Sequence, residues 1–172
     1  MKTNPSGFAL IFVNGYWNTG RTAHDIFNHL NRRLAKSIQM QIVANIGDKP
    51  GAPYWGEGFA ERAVEYFSAR FREQYATAPA SVKTLFYDGA DIWRSSGQTR
   101  YANGLSFATS SVCRADLIGI GALDAQGEQR SAMYIVSHSM GGAYAEGLIA
   151  GLRQMGLEVQ GVIHFSPADN KD

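Results

Sequence analysis

Ser139 stands in the pattern Ser137-His138-Ser139-Met140-Gly141, directly after an apolar run of strand formers at positions 133 to 136. Residues with helical spacing follow at once: Tyr144, Leu148, Leu152 and Met155. A serine at an abrupt strand-to-helix turn is held clear of the sheet, where its hydroxyl can attack an acyl carbon. Such a turn demands a strained backbone, and the chain tolerates strain where function over-determines it. Small residues are then expected two places before and after the serine, and Ser137 and Gly141 meet that need. The Met140 amide and the positive end of the new helix would face negative charge developing on a substrate oxygen. The plain alternative is a serine that merely caps a helix.

The chain that must position this turn has 172 residues, near the size of one domain, with 45% hydrophobic residues and a net charge of +1. Lys and Arg are scattered, which speaks against a nucleic-acid partner. The lone Cys113 excludes an intrachain disulfide and reads as a structural thiol. No run reaches transmembrane length and the N-terminus is no signal peptide, so no integral membrane segment and a cytoplasmic location are expected. No His, Cys or Asp cluster has ligand spacing, so no metal or cofactor is expected.

Residues 8 to 13 form a continuous apolar run bounded by Gly7 and Asn14-Gly15, as in a strand buried on both faces. A helix is expected from a capping-box-like start at residues 22 to 25, with Ile26, Leu30, Leu34 and Ile38 on one face. Residues 40 to 56 read as a loop, after a short strand at 40 to 43. Phe59, Ala63, Phe67, Phe71 and Tyr75, at four-residue steps, predict an amphipathic helix whose aromatics serve the core. Residues 82 to 87 predict a second strand. Asp88 and Asp91 at its carboxyl end lie where substrate-binding acids are found, although Asp88-Gly89 is also an everyday turn. Residues 92 to 130 predict one or two helices and a closing turn at 124 to 130. After the elbow, Ala143, Gly147 and Gly151 share one helix face, as if to approach the sheet closely, and Gly156 is expected as a left-handed cap. Residues 159 to 166 predict a further buried strand. Strands alternating with helices specify an α/β fold with a mostly parallel sheet flanked by helices on both faces.

The segment from Val136 to Gly142, Val-Ser-His-Ser-Met-Gly-Gly, resembles the nucleophile elbow of α/β-hydrolase lipases and esterases. The resemblance runs from about residue 8 to about residue 169 and is most specific at the elbow. It implies an abbreviated α/β-hydrolase fold over residues 1–172 as a single domain, C-terminally short relative to the family. It also implies a serine hydrolase acting on a small-molecule ester or lipid, with Ser139 as nucleophile and a backbone oxyanion hole. Met140 gives one oxyanion donor, and Tyr16, or the neighbouring Gly15, the second. The family order of Ser, acid, His places Asp169 as the acid, three residues later than the family pattern.

No histidine follows Asp169. His138 should point away from the nucleophile, and His164 should be a hydrogen-bonded core residue. His24, in the first turn of the first helix, is the substitute base to consider, with His29 further along that helix. Three readings stay open: the N-terminal portion of a hydrolase, a short hydrolase with a rearranged triad, and a catalytically incomplete module that binds a ligand or partner. A sheet that stops after residue 166 would expose an edge and favour a homodimer.

Overall fold

The computed structural model describes residues 4–15, 55, 58–89 and 96–165. Strand β1 (Gly7–Asn14) is buried at all eight positions because it lies inside the sheet. β2 (Ser81–Asp88) flanks it on one side and β3 (Ala132–His138) on the other, and β4 (Val159–Phe165) pairs with the far side of β3. The order is β2-β1-β3-β4 and every pairing is parallel. The chain therefore steps outward from β1 in one direction to β2 and in the other to β3. The carboxyl ends of β1 and β3 form a topological switch point, where open α/β sheets place their crevice.

Two-residue alternation along β1 sorts the core into two layers. Phe8, Leu10 and Phe12 face helix α1 (Phe59–Tyr75), against Val64, Phe67 and Phe71. Ala9, Ile11 and Val13 face the opposite layer, formed by α2 (Gly97–Ala108), α3 (Ser111–Gly119) and α4 (Gly141–Gln154). The protein is thus an α/β fold: a parallel sheet flanked by helices on both faces.

The expected amphipathic helix is α1, but its buried stripe is Ala60, Val64, Phe67 and Phe71, with Phe59, Ala63 and Tyr75 on the flanks. A strict four-residue step advances about 40° beyond each full turn, so a stripe defined that way walks off the buried face. Each fully buried phenylalanine contributes roughly 2–3 kcal/mol here.

Between β2 and β3 the polar stretch forms two helices, each started by a serine cap. Ser96 Oγ accepts from the Thr99 N–H and Ser110 Oγ from the Cys113 N–H. The expected turn at residues 124 to 130 is organised by Asp124, whose carboxylate accepts from the Gln126 and Glu128 N–H groups and from Arg130.

The glycine face of α4 packs differently from the sequence-based expectation. A Cβ at Gly147 would overlap the carbonyl oxygen of Tyr101, and one at Gly104 would overlap that of Tyr144. The close approach is therefore between α4 and α2, backbone to backbone, rather than between α4 and the sheet. Gly156 does adopt the left-handed conformation after the helix, at φ 77°.

β4 also departs from expectation. It is not a buried strand: none of its seven residues is buried, and Val162 and Phe165 are exposed. Among the described residues it is an edge, so only one flank is covered. Its register with β3 shifts between Met133 and Tyr134, which leaves Gln160 bulged. The sequence expectations for residues 16–54, including the first helix and the strand at 40 to 43, lie outside the described residues.

Candidate active site

β3 ends at His138 and α4 begins at Gly141, so the whole change of direction falls on Ser139 and Met140. Ser139 has φ 55°, in the left-handed region that residues with a Cβ occupy at a cost of about 1–2 kcal/mol. Two backbone bonds hold it there. Its N–H donates to the Phe165 carbonyl at the end of β4 (2.9 Å), and its carbonyl accepts from the Gly142 N–H (3.1 Å). Ser139 is half-buried, in contrast to the fully buried Ser137 two residues earlier. Strand, strained serine and helix follow one another as the sequence pattern requires.

The end of β1 lies against this turn. A Cβ at Gly15 would stand 2.7 Å from the His138 carbonyl oxygen, 2.8 Å from Ser139 Cβ and 3.0 Å from the Met140 nitrogen. Position 15 therefore has to be glycine for the two tips to meet. Gly141 is under the same restraint, because a Cβ there would overlap the Asn14 carbonyl oxygen. The size limit two residues after Ser139 thus comes from the neighbouring strand β1. Gly89 completes the junction, with a Cβ position 2.6 Å from Asn14 O and 3.1 Å from Gly141 Cα.

Buried polar groups fix these tips. Asn14, with no exposed surface, donates from Nδ2 to Asp88 Oδ1 (3.0 Å) and accepts the Gly89 N–H at Oδ1 (3.2 Å). The buried Arg100 on α2 donates from Nη1 to the Gly89 carbonyl (3.2 Å). Asp88 therefore contributes to a tie between the ends of β1 and β2. Arg100 was not singled out there, since nothing local separates it from the other polar residues of its stretch.

At the start of α4 the Met140 N–H makes no hydrogen bond among the described residues, and no side chain caps the helix. An uncapped helix start leaves partial positive charge beside the serine.

The histidines divide as follows. His138 turns its ring edge-on to Trp55 on the α1 face, with centroids 6.3 Å apart, away from the elbow as expected. His164 is hydrogen-bonded at both nitrogens, as expected, but half-buried on the edge strand. Its Nδ1 meets Ser137 Oγ, and its Nε2 meets Glu146 Oε1 on α4 at 2.7 Å. Ser, His and carboxylate are thus brought into one row, yet the serine is the buried Ser137. Ser139 Oγ has no hydrogen-bond partner among the described residues. Tyr16, His24, His29, Asp91 and Asp169 lie outside the described residues.

The sequence held one usable signal for Glu146 that was not read: it is the single charge in an α4 run of small and apolar residues up to Leu152. Comparison with protein families, with curated proteins and with solved structures gives no match to this chain.

Proposed function

We propose that the chain is a serine hydrolase of carboxylic esters, lipase- or esterase-like in its α/β-hydrolase-type elbow. The observation that carries this reading is the left-handed Ser139 at a strand-to-helix junction, with the Gly15 end of β1 packed on it. The same junction lies at the switch point of the sheet, which supports a crevice there.

In this mechanism Ser139 Oγ adds to the acyl carbon as its proton passes to a base. Negative charge on the carbonyl oxygen meets the Met140 N–H, an amide from Tyr16 or Gly15, and the uncapped end of α4. Collapse expels the alcohol with the proton, and water then releases the acid by the same route. One such amide is typically worth about 3 kcal/mol in the transition state. The base and the Asp169 carboxylate are supplied from outside the described residues, His24 being the candidate base.

Hydrolysis of p-nitrophenyl butyrate, wild type against Ser139→Ala, tests the proposal, with fluorophosphonate labelling as a second measure of an activated serine. Activity and labelling lost with Ser139 are expected. Equal rates for the two proteins overturn the reading.

A second reading is favoured by β4. Residues 159 to 165 carry no Lys, Arg, Asp, Glu or Pro, the usual protections of a free edge. A groove of about 350 Å³ runs beside the strand, lined by Tyr66, Arg70, Gln74, Tyr134, Val162 and Ile163. On this reading the chain is a catalytically incomplete module, and a second copy pairs with it through β4. Light scattering on wild type and Val162→Lys decides it: a dimer that the lysine dissociates supports pairing, and a monomer in both removes it.

A further inference from the structure

The histidine on the edge strand sits where three elements meet. Ser137 and His164 are register partners on β3 and β4, and Glu146 reaches the same ring from the second turn of α4. An ionised Glu146 can only accept, so Nε2 carries the proton of the neutral ring. Nδ1 then presents a lone pair, and the buried Ser137 hydroxyl donates to it. The buried Ser137 hydroxyl has this partner only while β3 and β4 hold their present register, and the ring reaches Glu146 only while α4 keeps its place beside them. Ser137 has no exposed surface, so its hydroxyl cannot attack a substrate even though the row contains the residue types of a catalytic triad.

Its effect reaches Ser139 by two short routes. Ser137 lies in β3, two residues before Ser139. The residue after His164 is Phe165, whose carbonyl accepts the Ser139 N–H. A left-handed serine persists only where its surroundings over-determine it. Here one of the two backbone bonds comes from the tip of an edge strand, which Phe59 covers on the α1 face through Phe165 and which His164 ties down on the α4 face. We infer that His164 is a positioning residue: by joining Ser137 to Glu146 it holds the tip of β4 in place and so fixes the backbone of Ser139. This also gives a reason for serine at position 137, where a smaller glycine would leave His164 Nδ1 without its donor.

That the position of Ser139 matters to catalysis rests on the hydrolase reading, whereas the clamp itself does not. The test therefore measures amide hydrogen exchange at Ser139 together with ester hydrolysis, in otherwise unaltered full-length protein. His164→Ala is expected to speed exchange of the Ser139 amide by at least about tenfold. It should lower kcat by roughly 10- to 100-fold with KM little changed, as for a reacting group displaced by a fraction of an ångström to an ångström. His164→Asn places an amide near the Nδ1 position, keeps a partner for Ser137, and should restore most of both. Glu146→Ala, at an exposed site that leaves the core intact, should speed the same amide a few-fold and serves if His164→Ala does not fold.

Unchanged Ser139 exchange in His164→Ala, or in Glu146→Ala where the first variant does not fold, overturns the clamp. So does failure of His164→Asn to do better than His164→Ala. If wild type hydrolyses no ester, the hydrolase reading falls and the exchange measurements still decide the clamp.

Discussion

Val13 and Ser137 are paired across the middle of the sheet and are both fully buried, whereas Val162, one strand further out, is 39% exposed. The two regions keep their geometry by different means. At the junction of β1, β2, β3 and α4, position is set by contact. Glycines at 15, 89 and 141 let backbone meet backbone, and the buried Asn14 and Arg100 satisfy the carbonyl and amide groups left over. At β4 contact is partial, through Val159, Ile163 and Phe165, and polar bridges add to it: His164 to Ser137 and Glu146 on one face, Gln160 to Gln74 on the other. Packed junctions fail by overlap and bridged edges fail by losing a partner, so the two should answer mutation differently.

The largest effect expected is at the junction itself. Ser139→Ala should lower kcat/KM for a short-chain ester by at least about 10⁴-fold, with circular dichroism unchanged, because it removes the proposed nucleophile without disturbing packing. Gly141→Ala comes next. Its methyl would overlap Asn14 O, and the forced separation of β1 from α4 should lower unfolding free energy by about 2–3 kcal/mol in urea titration. Activity should disappear with it.

A smaller loss is expected from Val162→Lys on β4. Monomer stability should stay within about 0.5 kcal/mol of wild type, since an exposed edge site has no cavity or overlap to create. A loss as large as that of Gly141→Ala would show that β4 is packed as tightly as the centre, and the contrast would fail.

The smallest effect lies under the edge and appears only in alkali. Burial, with the Tyr75 phenol adding to it, pushes the Tyr134 hydroxyl up from 10.0 to about 12. The folded chain keeps this proton while the unfolded chain starts to release it at the ordinary value. Stability from this group is therefore complete below pH 10 and is lost as pH rises toward about 12. Tyr134→Phe should flatten that part of the alkaline limb in urea midpoints measured across this range. An unchanged slope would mean that the phenol is solvated in the folded state.

The same contrast explains what could be read in advance. β1 was legible because a strand covered on both faces must be apolar throughout, and residues 8 to 13 say so without reference to anything else. The elbow was legible because strain at one residue restricts its neighbours, and Ser139 carries Gly141 with it. Partner choice was not. Gly147 announces that something comes close, but a helix face has no label for what approaches, and the neighbour proved to be Tyr101 on α2. Val162 and Ile163 look the same in a central strand as at an edge, so their apolar pattern predicts a buried strand where the fold has a partly exposed one. The row through His164 depends on the register of β3 against β4 and on the rotation of α4, neither of which is written within any one segment.

The mutual fit of Gly104 and Gly147 has a mechanical consequence. Where main chain is seated on main chain, at Gly147 on Tyr101 and Gly104 on Tyr144, α2 and α4 have no long side chain to yield, so the two helices form one stiff plank beneath the elbow. Arg100, anchored on that plank, carries the grip forward to Gly89 at the end of β2. Whatever molecule meets Ser139 must then fit a floor beneath the hydroxyl that stays still.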